Sequence, residues 1–290
     1  MHSALHFIQN IDVNVYHWLS RFHGNWFLDS LAKHQEANTF FKSTILIAAY
    51  WYFWFREDSD KQQRRATILS IFVGTFAGLV CARMIASLAP FRIRPCYDPG
   101  LHHQALAVPL PGDFMNWSSF PSDHAAYLCA LGFGLILLSR RLLIPVVLFL
   151  AEWVCMPRMY LGIHYMSDIV IGAAIGIFAV WATLHMKSVN VRVSRPLLAF
   201  ADARPQVFFM VAYLTMYEMG NVFWDIREPV HAVMRASASV MHHKVFDVAA
   251  ISLVLACVAV VYGYHSIEHD EDRSSHGPSH LGGVLNITTK

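Results

Sequence analysis

Two histidines and a carboxylate stand where they could carry out a phosphoryl transfer. His164 and Asp168 are four residues apart, so their side chains share one face if that stretch is helical. A carboxylate beside an imidazole fixes the tautomer of the ring and stabilises the cation that forms when the ring attacks. The second histidine, His124, could then protonate the leaving oxygen. These three residues predict a nucleophile, its supporting carboxylate and a general acid.

Three arginines and a serine accompany them in three short segments, at residues 92–95, 121–124 and 158–168. A phosphoryl group in transfer spreads negative charge over its oxygens, and forked guanidinium donors stabilise that charge. A hydroxyl at the start of a helix, together with the free N–H groups there, adds further donors. We therefore expect a phosphate site formed by Arg92, Arg94, Arg158 and Ser122.

The elements that must position these residues are membrane helices. The chain is 56% hydrophobic and only 14% charged, against about 25% charged in soluble domains. Mean hydropathy is +0.39. The composition predicts an all-α, polytopic membrane bundle of about six to seven spans with amphipathic surface helices. The candidate spans cover residues 41–55, 66–89, 125–138, 142–156, 167–186, 206–224 and 245–264.

The sequence divides into four parts. Residues 1–36 read as an amphipathic surface segment, residues 37–190 as the core bundle that holds the motifs, residues 191–264 as additional membrane helices, and residues 265–290 as a disordered polar tail. The net charge of +2 gives no reason to expect a nucleic-acid partner. The five cysteines include no CxxC pair, so we expect no metal site of that kind.

Basic residues predict the orientation of the bundle. Lys and Arg concentrate in the connections at 56–65, 140–141 and 187–204, which we assign to the cytoplasm. The three motif segments, and the long connection at 91–120, then lie on the opposite face. We expect an integral protein of a bacterial inner (plasma) membrane with its active site on the extracytoplasmic face.

In this order and spacing, the three segments resemble the type 2 phosphatidic acid phosphatase superfamily. That superfamily also includes glucose-6-phosphatase and the vanadium haloperoxidases, and its pattern is Lys-x6-Arg-Pro, Pro-Ser-Gly-His and Ser-Arg-x5-His-x3-Asp. The likeness runs from Ser87 to Asp168. The haloperoxidases are soluble, which disfavours that branch for so apolar a chain.

The resemblance implies a role for each matching residue. Arg94 and Arg158 bind phosphate, and Ser122 hydrogen-bonds it. His124 is the general acid, and His164 forms a phosphohistidine, with Asp168 in support. The family fold is a helical bundle, and its catalysis needs no metal or other cofactor.

The chain departs from the family pattern at three positions. Ser87 stands in place of the lysine, Asp123 in place of the glycine, and Pro157 in place of the serine. Asp123 puts a carboxylate beside the phosphate. Arg83 lies one helical turn before Ser87, and we predict that its guanidinium reaches the phosphate in place of the lysine. The alternative for Arg83 is a structural pairing with Glu152 or Glu218.

The activity implied is a membrane lipid phosphatase that hydrolyses a lipid phosphomonoester or pyrophosphate. Polyprenyl pyrophosphate, phosphatidylglycerol phosphate, phosphatidate and lipid A are candidate substrates. A lipid phosphotransferase is one alternative. A catalytically degenerate member that only binds or transports lipid is another, because of Ser87 and Asp123. The expected partners are the lipid substrate and the bilayer; the oligomeric state is left open.

Overall fold

The computed structural model describes residues 2–38, 40–101 and 115–220. Every regular element in these ranges is helical, which confirms the all-α prediction. The predicted span at 245–264, the tail at 265–290 and part of the long connection lie outside the described residues. The helices are α1 (His2–Ser20), α2 (Trp26–Ala37), α3 (Ile45–Phe55), α4 (Lys61–Leu88), α5 (Asp123–Leu138), α6 (Leu143–Leu150), α7 (Met156–Tyr160), α8 (Met166–His185), α9 (Lys187–Ala203) and α10 (Pro205–Gly220).

Three helices of the described chain are long and apolar enough to cross a membrane: Lys61–Leu88, Arg140–Tyr160 and Met166–His185. The 28 residues of α4 extend about 42 Å, more than the roughly 30 Å of a hydrocarbon core. The predicted third span is the shorter apolar helix α5. The described residues therefore do not confirm a count of six to seven spans.

Two of the predicted spans contain π-helical turns. The first candidate span is an eleven-residue α3 preceded by a π-helical turn, Phe40–Thr44. The fourth lies within the long helix Arg140–Tyr160, where a π-helical turn, Ala151–Cys155, joins α6 to α7. The basic connection after α8 is the helix α9, with Pro196 in its interior.

Helices α4, α5 and α8 form the centre of the bundle, and small residues let them approach closely. A Cβ at Gly172 would lie 2.3 Å from the Ser122 carbonyl oxygen, and one at Gly176 would lie 1.9 Å from that of Ala126. Gly78 on α4 faces Gly176 in the same way. The glycines therefore set the distance between α8 and the start of α5, where the second motif lies.

The N-terminal helices pack against the bundle on the side of the third motif. Leu19 of α1 and Ala32 of α2 share a buried cluster with Tyr160, Leu161 and Ile163. Large aromatic side chains of both helices stay exposed, among them Trp18 and Trp26. Such a pattern is typical of helices at a membrane interface. Residues 1–36 are thus more than a surface covering, because they contact the segment that leads to His164.

Candidate active site

The three motifs meet at one end of the central helices. Backbone hydrogen bonds join them: Ser119 N–H donates to the Arg92 carbonyl oxygen at 2.9 Å, and Ser122 N–H donates to that of Asp168 at 3.0 Å. The convergence predicted from sequence is therefore present in the fold.

A tight turn before His164 connects the first motif to the third. Gly162 adopts a φ of +68°, in the left-handed region that favours glycine. Its carbonyl oxygen accepts a hydrogen bond from Cys96 N–H at 2.9 Å. A Cβ at Gly162 would come within 3.1 Å of that same nitrogen. The glycine thus allows the close approach that places His164 beside the first motif.

His164 is buried, and one of its ring nitrogens is engaged. Nδ1 lies 2.7 Å from the carbonyl oxygen of Ser119. A carbonyl only accepts, so Nδ1 carries the proton and Nε2 keeps its lone pair. Asp168 Oδ2 is 3.8 Å from Nδ1, an ion-pair distance rather than a hydrogen bond. Ser119 therefore fixes the tautomer that sequence reasoning assigned to Asp168.

The environment of His164 favours the neutral ring. Burial lowers its pKa below the ordinary value of 6.5, and the Asp168 carboxylate offsets this only in part. The nearby guanidinium groups of Arg94 and Arg158 lower the pKa further. A neutral imidazole with a free Nε2 is the form required of a nucleophile.

Asp168 is held in place by two other groups. The Tyr165 N–H donates to Oδ2 at 2.9 Å, so Asp168 caps the start of α8. Arg92 donates to Oδ1 and to Ser167 Oγ, the latter at 2.8 Å, and its guanidinium lies 4.2 Å from the ring centre of Tyr165. In these contacts Arg92 acts on the carboxylate beside His164. The phosphate contact expected of Arg92 stays a prediction.

Asp12 of α1 completes this network and was not identified from the sequence. Its Oδ2 accepts from Arg92 Nη2 and from Ser167 Oγ, both at 2.6 Å, and its Oδ1 accepts from Ser167 N–H at 2.8 Å. Asp12 is 1% exposed. One signal was available, since Asp12 shares a helical face with the buried residues Tyr16 and Leu19. An acidic residue on an apolar stripe indicates a buried partner.

His124 is paired with the residue that departs from the family pattern. Its Nδ1 lies 3.1 Å from Asp123 Oδ1, and its backbone N–H donates to the same oxygen at 2.9 Å. Asp123 Oδ2 accepts from Arg83 Nη1 at 3.2 Å, and the Arg83 guanidinium lies 5.3 Å from the Trp117 ring centre. The Asp123 carboxylate orients His124, and the Arg83 guanidinium offsets part of the negative charge of that carboxylate. This partner of Arg83 was not among those considered from sequence.

The two remaining arginines are buried at the same place. Arg94 is 5% exposed and donates to the carbonyl oxygen of Ile163 at 2.9 Å. Arg158 is 2% exposed, and its Nη2 donates to Glu36 Oε1 of α2 at 2.8 Å. Sequence reasoning missed Glu36, because an acidic residue in a predicted surface helix reads as solvated. Arg158 Nε has no hydrogen-bond partner in the described part of the chain.

Ser122 is the N-cap of α5 and fully buried. Its hydroxyl oxygen accepts a hydrogen bond from Ala125 N–H at 3.4 Å. This hydrogen bond is long, so a phosphate oxygen could take the place of the hydroxyl as the acceptor. Together, buried arginines, a helix start and two histidines with fixed Nδ1 contacts form a site suited to a phosphate and to its transfer. Among the described residues, no three His, Cys, Asp or Glu side chains are grouped as metal ligands.

Comparisons with known proteins cover the part of the chain that holds these residues. A family model described as the PAP2 superfamily matches residues 65–192. The chain is 34% identical over 110 residues to a lipid A 4'-phosphatase of Bacteroides thetaiotaomicron, covering 37% of this chain and 47% of that protein. It is 32% identical over 114 residues to a decaprenylphosphoryl-5-phosphoribose phosphatase of Mycobacterium tuberculosis, covering 39% of this chain and 58% of that protein.

The chain spans about half the length of these curated relatives. No solved structure matches it. The matched segment contains all three motifs, and the resemblance identified from them is confirmed. Residues 65–192 of the chain are therefore similar to the PAP2 superfamily.

Proposed function

We propose that the protein is an integral-membrane phosphatase that hydrolyses a lipid phosphomonoester or pyrophosphate through a phosphohistidine on His164. The observation that carries this proposal is the arrangement around His164. A buried, neutral imidazole has its Nδ1 tied to Ser119, and the buried guanidinium groups of Arg94 and Arg158 stand close to it. The names of the two relatives, both phosphatases, support the same reaction class.

The reaction follows in two steps. Nε2 of His164 attacks phosphorus, the P–O bond to the lipid breaks, and His124 gives its proton to the leaving oxygen. Water then attacks phosphorus and gives a proton to His124, the P–N bond breaks to restore the lone pair on His164 Nε2, and inorganic phosphate leaves. Arg94, Arg158 and Ser122 stabilise the charge on the phosphoryl oxygens in both steps.

A lipid is the favoured substrate class because of the setting. Three helices of the described chain could cross a membrane, and the site lies at one end of each of them. A lipid can diffuse laterally to such a site. Both relatives carry the name of a lipid or a lipid-linked sugar, lipid A and decaprenylphosphoryl-phosphoribose.

Two alternatives differ from this proposal in the products that they would form. A phosphotransferase would pass the phosphoryl group from His164 to a lipid hydroxyl rather than to water. A degenerate member would form no phosphohistidine; against it stand the intact His124, His164 and Asp168. Ser87 and Asp123 remain the features in its favour.

The test is phosphate release from a panel of lipid phosphates by the full chain in detergent with EDTA present. We expect stoichiometric inorganic phosphate and dephosphorylated lipid, and none from His164→Ala. Mass spectrometry of the lipid products detects transfer to a second lipid. Turnover that is retained in His164→Ala would end the proposal.

A further inference from the structure

A buried lysine outside all three motifs lies beside the site. Lys42 is 4% exposed and belongs to the π-helical turn Phe40–Thr44. Its Nζ donates to the carbonyl oxygen of Glu36 and lies 3.5 Å from Glu36 Oε2. A buried ammonium is costly unless anions surround it. The position of Lys42 therefore calls for a negative partner at this point of the site.

Glu36 joins Lys42 to the third motif. Its Oε1 accepts from Arg158 Nη2 at 2.8 Å, while its Oε2 has no hydrogen-bond partner in the described part of the chain. Two cations thus converge on one carboxylate. The cluster carries one uncompensated positive charge, and a second negative charge would neutralise it.

The same cluster lies within the electrostatic reach of both histidines. Burial raises the pKa of Glu36, but Arg158, Lys42, His124 and His164 together hold it below its ordinary value. Glu36 is therefore an anion placed among the groups assigned to phosphate transfer. A carboxylate and a phosphate present similar oxygen pairs to a guanidinium.

We propose that Lys42 and Arg158 bind the phosphate of the substrate together, and that Glu36 occupies this pair of cations until the phosphate displaces it. This inference rests on the proposed function. A dianionic phosphate brings two charges where Glu36 brings one, so it satisfies both cations. Lys42 supplies the ammonium that the family pattern places at position 87, from a different part of the chain.

A double-mutant cycle tests the inference in the full chain in detergent micelles. The variants are Lys42→Met, Glu36→Gln and the two combined, with Lys61→Met at the opposite end of α4 as the control. Calorimetry measures the Kd of inorganic phosphate, and a lipid phosphatase assay measures KM and kcat. Two variants cover the case in which Lys42→Met does not fold. Lys42→Arg keeps the positive charge at this position. The double variant removes both the Lys42 ammonium and the Glu36 carboxylate, so neither is left buried without its partner.

We expect Lys42→Met to raise both the phosphate Kd and the lipid KM about tenfold or more, the usual weight of a charged hydrogen bond. Glu36→Gln should lower the phosphate Kd, because it removes a competing anion. The double variant should bind phosphate more weakly than Glu36→Gln, and Lys61→Met should behave as wild type.

Three results would overturn the inference. Phosphate affinity in the double variant equal to that of Glu36→Gln would mean that Lys42 only neutralises Glu36. An unchanged Kd in folded Lys42→Met would exclude Lys42 from the site. A changed phosphate Kd with an unchanged lipid KM would make this a site for free phosphate alone. A wild type that binds phosphate through Lys42 but hydrolyses no lipid would instead remove the proposed function.

Discussion

Each histidine of the site has a distinct Nδ1 contact. His164 donates from Nδ1 to a backbone carbonyl, and His124 contacts the Asp123 carboxylate. A carbonyl carries no charge, so it fixes a tautomer without strongly favouring the imidazolium. A carboxylate favours the charged ring. The two contacts orient the rings for the roles proposed for them, nucleophile for His164 and general acid for His124.

The lowered pKa of His164 gives a testable pH dependence. Because the pKa of His164 lies below the ordinary value of 6.5, the ring is still neutral and able to attack when the pH falls to 6.5. We expect the His164 ring to titrate below pH 6.5 in an NMR titration of ring-labelled protein, with His164→Ala used to assign the signal. Asp168→Asn should lower the pKa further, because Asp168 raises it. A titration at or above 6.5 would contradict the environment described.

Asp123 and Arg83 should act as a pair. Arg83→Ala leaves the Asp123 carboxylate uncompensated beside the phosphate, so we expect kcat/KM to fall about tenfold or more. Adding Asp123→Gly should recover most of that loss, measured with the same lipid substrate. If Arg83 instead contacts the phosphate, Asp123→Gly will restore nothing and Ser87→Lys will restore part. Equal activity of Arg83→Ala and wild type would exclude both roles.

At the scale of helices, the packing of α8 against α5 holds the second and third motifs together. Gly176→Ala brings a Cβ against the backbone of Ala126 at 1.9 Å. A backbone cannot move aside as a side chain can, so we expect a loss of about 1–3 kcal/mol or more in stability and reduced kcat. Thermal unfolding in detergent measures the first.

Gly132→Ala is the matched control for that change. Its added Cβ would meet the side chains of Leu150 and Val146, the nearest atom at 2.6 Å. Flexible side-chain ends can shift, and the site lies elsewhere, so we expect a smaller fall in Tm and normal kcat. Equal effects of the two substitutions would mean that the α5–α8 distance has no particular role in positioning the motifs.

The motif residues were predictable because their order and spacing are local in sequence, and the fold does bring the three segments together. The N-terminal contributions were not. Asp12 and Glu36 are single charges in amphipathic helices, and only the tertiary contacts with Arg92 and Arg158 show that they are buried. The contact of Arg83 with Asp123 was also missed, since the two residues are 40 positions apart in sequence.

At the scale of the whole molecule, the orientation of the bundle remains a prediction from basic loops. The motifs lie at the C-terminal end of α4 and the N-terminal ends of α5 and α8, while Lys61 begins α4 at the other end. We expect a cysteine introduced at exposed Arg21 to react with a membrane-impermeant maleimide in intact cells, and one at exposed Gln62 to be protected. The reverse labelling pattern would place the site in the cytoplasm.

The native Cys96 is a poor reporter for this experiment. Burial raises the pKa of its thiol to about 11, so little of the reactive thiolate is present at neutral pH. The labelling is therefore designed in a chain whose own cysteines are replaced. Activity of that background chain on the lipid substrate shows that the replacement has not disturbed the site.

The central claim is that His164 carries the phosphoryl group during turnover. Wild-type protein quenched during the reaction with lipid labelled in its phosphate should retain acid-labile, alkali-stable label, located on His164 by mass spectrometry. His164→Ala should retain none, and His124→Ala should accumulate label with a good leaving group because water attack is slowed. Turnover of the wild type with no label on His164, or label on another residue, would contradict the account.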